Sequence, residues 1–334
     1  MENITIAHGS GGKATDQLIR DIFFKYFKNN ILDEAGDSAV CDLTGGKIAF
    51  TTDSFVVKPV FFPGGDIGKL SICGTVNDIA VTGAIPRYIS CGFIIEEGFP
   101  VSDLREIVKS MAFWAEKSGV MVVTGDTKVV EKGEADEIFI NTSGVGTFPD
   151  TGRVLRKRNI SRGDKVIISG TIGDHGLAVL SQRKGFEFER SICSDCAPLN
   201  GMIASVLEGV DDVSFMRDPT RGGLATTLNE ITGPGLGVLL DEVKIPVARE
   251  VKSASELLGL DPLYIANEGK ILVIVPPGSE RRTLDIMRRS EYGENSETIG
   301  EITGDDAGKV CIRTRLGVTR IIDMLMTEQL PRIC

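Results

Sequence analysis

Apolar positions divide this chain into two series of elements. Leu18, Ile19, Ile22, Phe23, Tyr26 and Phe27 recur at three- and four-residue steps, so "TDQLIRDIFFKYFKN" predicts an amphipathic helix. "KIAFTTDS" sets Ile48 and Phe50 against smaller residues and predicts a strand ending at Asp53. "GKLSICGTVNDIAVTG" reads as a helix with Gly83 past its end, and "RYISCGFIIE" as a strand. "SDLREIVKSMAFWAEKSG" predicts a helix opened by Ser102 and stopped at Gly119. "VMVVTGD" reads as a buried strand running into Asp126, and "DEIFINTSGVGTF" as another strand.

Pro149, Gly152 and the basic stretch "RVLRKRNISRGDK" mark a boundary near 150, and the bland reading of that stretch is a solvated linker. A second series follows. "KVIISGTIGDHGLAVLSQ" is strand, glycine turn and helix, "NGMIASVLEG" a helix, and "DPTRGGLATTLNEI" a turn opening a helix. "KILVIVPP" is a strand and "TLDIMRRS" a helix. The expected organisation is an N-terminal domain over 1–150, a C-terminal domain over 151–310 and a tail over 311–334. Helices and strands do not alternate as regular βαβ units, which predicts an α/β fold of α+β type, two domains with mixed or antiparallel sheets.

Composition narrows the function. Hydrophobic residues are 42% and charged residues 25% of 334, ordinary for a soluble globular protein. No apolar run is long enough for a bilayer and the N-terminus does not read as a signal peptide, so the expectation is a cytoplasmic protein with no membrane partner. A net charge of −10 argues against a nucleic-acid partner. Seven scattered cysteines predict reduced thiols, with Cys41, Cys73 and Cys91 as core residues. "CSDC" at 193–196 has redox or metal spacing, but the chain has only two histidines, His8 and His175, and a packed loop is the favoured reading.

Four stretches could carry chemistry. In "HGSGGK" Gly9, Ser10, Gly11 and Gly12 could turn backbone N–H groups onto phosphate, although a flexible turn accounts for them equally well. Asp37, Asp53, Asn77, Asp78 and Asp126 stand at strand or turn ends among small or apolar residues. Any one of them alone is a cap or a turn; together, beside a glycine loop, they point to a nucleotide and Mg²⁺, which favours oxygen ligands. In "RDPTRGG" Arg217 and Arg221 could meet phosphate, and in "ANEGK" Glu268 could serve as a base.

"HGSGG", "GDSA", "TTDSF", "VNDIAVTGA", "GDTKV" and "RDPTRGGLA", in this order, resemble the family of ATP-using enzymes that includes aminoimidazole ribonucleotide synthetase and selenophosphate synthetase. With "SDCAPLN", "ANEGK" and the final "PRIC", the resemblance narrows to the hydrogenase-maturation branch of that family. It implies a homodimer paired through the N-terminal domain and a mobile C-terminal tail. It also implies ATP-dependent dehydration of a carbamoyl group on Cys334 to a thiocyanate. The partner HypF would supply the carbamoyl group and the HypC–HypD complex would take the cyanide for iron. On this reading Gly9 to Gly12, Asp53, Asn77 and Arg221 bind ATP, and Asp37, Asp78 and Asp126 hold Mg²⁺. Lys128 and Glu268 act with Cys334 in the chemistry.

Rival readings are another synthetase of the same fold, such as a selenophosphate synthetase, or a non-catalytic carrier of the group on Cys334. The first lacks its reactive residue near the opening glycines, since the first cysteine is Cys41.

Overall fold

The computed structural model describes residues 12–18, 20, 39–43, 46–149, 152–186, 191–325, 330 and 333–334. The N-terminal series holds α1 (Lys13–Leu18), β1 (Ala39–Leu43), β2 (Gly46–Phe55) and a small hairpin, β3 (Phe61–Phe62) with β4 (Gly65–Asp66). It continues with α2 (Ile67–Ala80), β5 (Ile85–Glu96), α3 (Val101–Ser118), β6 (Met121–Val130) and β7 (Ile138–Thr147). Its five-stranded sheet runs β1-β2-β7-β5-β6, antiparallel except for the parallel pair β5–β6. Beyond Leu18 the expected amphipathic helix falls outside the described residues except for Arg20.

α2 is the element on which the site is built. Nearly every residue of it is buried, because the sheet lies on one side and the C-terminal half on the other. A helix enclosed in this way is apolar all round rather than striped. Its start is fixed by Asp66, whose carboxylate accepts from the N–H groups of Gly68 and Lys69 at 2.8 and 3.0 Å. α3 packs against α2 and ends at the left-handed Gly119, as expected, but it opens at Pro100 rather than Ser102. Pro100 enters already extended, and the Ser102 hydroxyl turns to Asp103 instead of capping.

The C-terminal half holds β8 (Lys165–Ile168), α4 (Asp174–Lys184), α5 (Asn200–Gly209), β9 (Phe215–Arg217), α6 (Gly223–Ile231) and β10 (Gly237–Asp241). α7 (Arg249–Leu258), β11 (Leu272–Val275), α8 (Glu280–Arg289), β12 (Glu297–Thr303), β13 (Val310–Arg313) and β14 (Thr319–Ile322) complete it. The seven-stranded sheet runs β14-β13-β10-β12-β8-β11-β9, with only β10–β13 parallel. One face packs against α6, through Leu224, Leu228 and Ile231; the other packs against α5 and α8, through Met202, Val206 and Met287. A third cluster spans both halves, joining Phe55, Leu70 and Ile107 to Leu177, Ile265, Leu330 and Ile333.

Three expectations change. The tail does not begin at 311, because Val310–Arg313 and Thr319–Ile322 extend the C-terminal sheet and bury Ile312 and Ile322. The basic stretch is no free linker: Leu155 is buried and donates its N–H to Thr82 O, and the Lys157 ammonium caps the end of α6 at the carbonyls of Glu230 and Thr232. β6, expected to be buried, is an exposed edge strand, since it pairs only with β5 and nothing in the described chain covers it. Among the described residues no helix is long and apolar enough to cross a membrane.

Candidate functional site

The site lies where β2 and α2 of one half meet the loops before β11 and α6 of the other. On β2, Ala49, Thr51 and Phe55 are buried while Phe50, Thr52 and Ser54 are exposed, so Asp53 shares the inner face with α2. Thr51 donates its hydroxyl to Asp78 Oδ2 at 2.9 Å and thereby aims the only half-buried carboxylate of α2 toward β2. Arg221, at the turn opening α6, faces this pair. Its guanidinium is raised above its ordinary range by the negative charge at Cys334 first, and further by Asp53, Glu268 and Asp78. Five of the expected residues, Asp53, Asp78, Arg221, Glu268 and Cys334, therefore share one electrostatic neighbourhood.

Glu268 is buried, and burial pushes its carboxyl well above the usual range. Cys196 and the carboxylates of Asp53, Asp218 and Asp195 push in the same direction. Burial also raises Asp53, with Arg221 and the Ser54 N–H working against it. The backbone around Glu268 is held by a residue outside the expected set. Asp195 accepts from the N–H groups of Glu268 and Gly269 at 3.1 and 3.3 Å and from Lys270 Nζ at 3.0 Å. Burial opposes its charge, but Lys270 and these bonds outweigh it and hold Asp195 below its ordinary range. The turn needs glycine at 269, where a Cβ would lie 1.8 Å from Asp195 O. "CSDC" is thus a clamp: Ser194 bonds His175, Asp195 holds the Glu268 turn, and Cys196 is buried beside it while Cys193 is exposed. The sequence signal for this clamp was Asp195 among small and apolar residues and Lys270 at the head of an apolar run, able to be buried only as partners.

Other expected residues are placed differently. Asn77 is buried and its amide is spent on backbone, donating to Ala197 O at 3.0 Å and accepting from Leu199 N at 2.8 Å. It ties α2 to the C-terminal half. Asp126 lies on the opposite face of the sheet from Asp53, because the register runs Asp126, Gly92, Asn141, Ser54 across β6, β5, β7 and β2. Within one chain Asp126 cannot share a cation with Asp78. Lys128 pairs with it there at 2.8 Å, and this pair, with the Thr127 N–H, holds the Asp126 carboxyl below its ordinary range. Gly9, Ser10, Gly11 and Asp37 lie outside the described residues. Gly12 is buried beside the base of the tail, where the Lys13 N–H donates to Leu325 O at 2.9 Å. Among the described residues no three His, Cys, Asp or Glu side chains are close enough to hold a metal ion unaided.

Comparison with known proteins gives this arrangement its family. Residues 35–148 match the N-terminal domain of AIR synthase related proteins and residues 161–313 their C-terminal domain. The chain is 48% identical over 333 residues to the carbamoyl dehydratase HypE of Azotobacter vinelandii, covering 99% of this chain and 97% of that protein. The chain belongs to the HypE family of carbamoyl dehydratases. HypE proteins are enzymes of hydrogenase maturation, and their solved structures match the fold. A HypE bound to ATP superposes with a TM-score of 0.83 at 46% identity, over 99% of this chain and 100% of that one. The structure of a HypE–HypF complex matches with a TM-score of 0.87 at 49% identity, over 92% of this chain and 99% of that one.

Proposed function

We propose that the chain uses ATP to remove the elements of water from a carbamoyl group on the thiol of Cys334, leaving a thiocyanate for the iron of a nickel–iron hydrogenase. The observation that carries this reading is the position of the last residue. Cys334 is not splayed into solvent but packs beside the cluster formed by both halves, and its charge acts on Arg221, which also faces Asp53, Glu268 and Asp78. A carrier that only presented a thiol would have no use for that position.

The chemistry follows from the leaving group. Hydroxide leaves an amide carbon poorly and phosphate leaves well. The carbonyl oxygen of S–C(=O)–NH₂ attacks the γ-phosphorus of ATP; the bond to ADP breaks, one N–H proton departs, and an O-phosphorylated imidate forms. Breaking the C–O bond with loss of the second N–H proton then gives S–C≡N and inorganic phosphate. Positioning and charge neutralisation dominate such a transfer. On this reading Arg221 meets phosphate oxygens, and Glu268 takes a proton from nitrogen. Asp53 and Asp78, with Asp37, would hold Mg²⁺ together with phosphate oxygens. The donor chemistry fits: the ligands are all oxygen, and the half-buried Asp53 adds to the negative charge around Glu268, where a hard cation would relieve the crowding. When bound, the ion neutralises charge on the transferring phosphoryl group.

On this reading a HypF carbamoyltransferase loads Cys334 and a HypC–HypD complex receives the cyanide. Two copies of the chain pair through the open face and edge of the five-stranded sheet, where Phe50, Tyr88, Ile94 and Val123 are 44%, 45%, 45% and 56% exposed. Asp126 and Lys128 face that second copy, so any part they take in the chemistry runs across the dimer.

Mass spectrometry of the C-terminal peptide, after incubation with HypF, carbamoyl phosphate and ATP, decides between enzyme and carrier. Carbamoylated Cys334 is expected to lose the elements of one water, and Cys334→Ala to carry neither group. A carbamoyl adduct that persists unchanged in the presence of ATP would leave only the carrier.

A further inference from the structure

The first turn of α4 uses its residues in a way the proposed chemistry does not call for. Gly173, left-handed at φ 86°, opens the helix, so that "DHG" forms its first residues. His175 is fully buried there. Its Nε2 lies 2.6 Å from Ile333 O and its Nδ1 2.8 Å from Ser194 Oγ. A carbonyl oxygen only accepts, so the proton is on Nε2, and Nδ1 accepts from the Ser194 hydroxyl. Ser194 is itself fixed: its Oγ accepts from the Cys196 N–H at 3.1 Å and its own N–H donates to Pro63 O at 2.7 Å. Phe62 stands edge-on to the imidazole, with ring centroids 5.4 Å apart at 86°. The ring therefore has one orientation, held by Ser194 and Phe62, and one tautomer, set by the Ile333 carbonyl.

The next residue receives a second part of the tail. A Cβ on Gly176 would come within 2.8 Å of Leu330 Cδ1 and 2.6 Å of Ile265 Cγ2, so glycine leaves the space that Leu330 fills. Gly176 also donates its N–H to Ala266 O at 3.2 Å, in the segment that leads to Glu268. One helical turn thus touches the tail at Leu330 and Ile333 and the catalytic turn at Ala266. A single peptide bond separates the carbonyl held by His175 from the residue bearing the thiol.

We infer that the first turn of α4 is the dock for the C-terminal arm, with His175 as its positioning residue. His175 grips the Ile333 carbonyl, Gly176 makes room for Leu330, and together they set Cys334 among Arg221, Asp53, Asp78 and Glu268. The purpose of the dock rests on the dehydratase reading, but its detection does not. An arm that is loaded by one protein and returns to an ATP site needs a grip that is specific and weak. One neutral hydrogen bond and one apolar side chain meet both conditions.

The test uses the intact protein and two of its own cysteines. Cys193 is exposed and adjoins Ser194, so it reports on the loop; Cys334 reports on the arm. Alkylation by iodoacetamide is followed at both by mass spectrometry. His175→Phe, which keeps an aromatic ring and removes both nitrogens, is expected to raise the rate at Cys334 relative to Cys193 roughly tenfold, the effect of about one hydrogen bond. His175→Gln, which retains a donor, restores most of the protection. Leu330→Ala exposes Cys334 in the same sense without altering α4, and serves if the His175→Phe chain does not fold. An unchanged ratio, or acceleration at both cysteines together, overturns the dock and makes His175 a support of the 193–196 loop. The dehydration rate of carbamoylated Cys334 is expected to fall in His175→Phe while carbamoyl loading and ATP binding persist. If the alkylation ratio moves as expected but wild-type chain never dehydrates the adduct, the dock stands and the dehydratase reading fails.

Discussion

Glu268 shows how a residue of ordinary appearance acquires chemistry from its surroundings. In sequence it is one carboxylate in a glycine-flanked turn. In the fold it is buried, ringed by other acids and fixed through its own backbone by Asp195. A base must be ionised to act, and ionisation of a group whose pKa is raised comes later on the pH scale. Single-turnover dehydration is therefore expected to rise with pH along an acid limb lying well above pH 4.5, the ordinary value for glutamate. Glu268→Gln is expected to bind ATP as the wild type does and to lose dehydration by at least 100-fold, the order of a missing general base. A variant that turned over at the wild-type rate would remove Glu268 from the mechanism.

At the scale of elements, α4 carries a second titrating group. Asp174 in its first turn is pushed up from 3.8 to about 6, by burial first and then by Asp195, with the Thr171 hydroxyl and Lys270 opposing. The unfolded chain gives up this proton near 3.8 and the folded chain only near 6, so stability drains away as pH rises through that window and stays lost above it. The shift corresponds to at most about 3 kcal/mol. Asp174→Asn keeps the acceptor for Thr171 and removes the penalty, so urea unfolding is expected to show it more stable than wild type at pH 7.5 but not at pH 4. Equal advantage at both pH values would trace the effect to something other than this titration. β6 illustrates the opposite case, in which the chain's apolar pattern overstates burial: Met121, Val122 and Val123 read as core but line an edge.

For the whole molecule, that edge and the adjoining outer face are the largest discrepancy between pattern and burial. Sheet edges left open invite pairing, and soluble proteins seldom leave apolar faces of this kind bare. Two copies meeting there would bury Phe50, Tyr88 and Ile94. Ile94→Asp is expected to leave the circular dichroism spectrum unchanged and to weaken self-association by more than tenfold, read by sedimentation across a dilution series. Sedimentation of the variant indistinguishable from wild type would place the dimer contact elsewhere.

The sequence by itself determined what is local. The helix positions of α2, α3 and α5 and the strand positions of β2, β5, β7 and β11 follow from periodicity and glycine stops, because those signals act within a few residues. The chemical types at the site, carboxylates, an arginine turn and a terminal thiol, were legible for the same reason. Several elements went unread: β10 and β12 are short and half-patterned, α7 is mostly polar, and β1, β9 and the β3–β4 hairpin are too small to show a period. Only the tertiary structure decided which residues meet. It set Asp53 and Asp126 on opposite faces through the strand register, spent Asn77 on backbone, and brought Asp195 to the Glu268 turn and His175 to Ile333. These outcomes depend on pairings between residues 34 to 158 positions apart, for which a linear pattern carries no term. The same holds for Cys334. Its chemistry is that of a thiol, but its address is given by a histidine that holds the carbonyl of Ile333, 158 positions away.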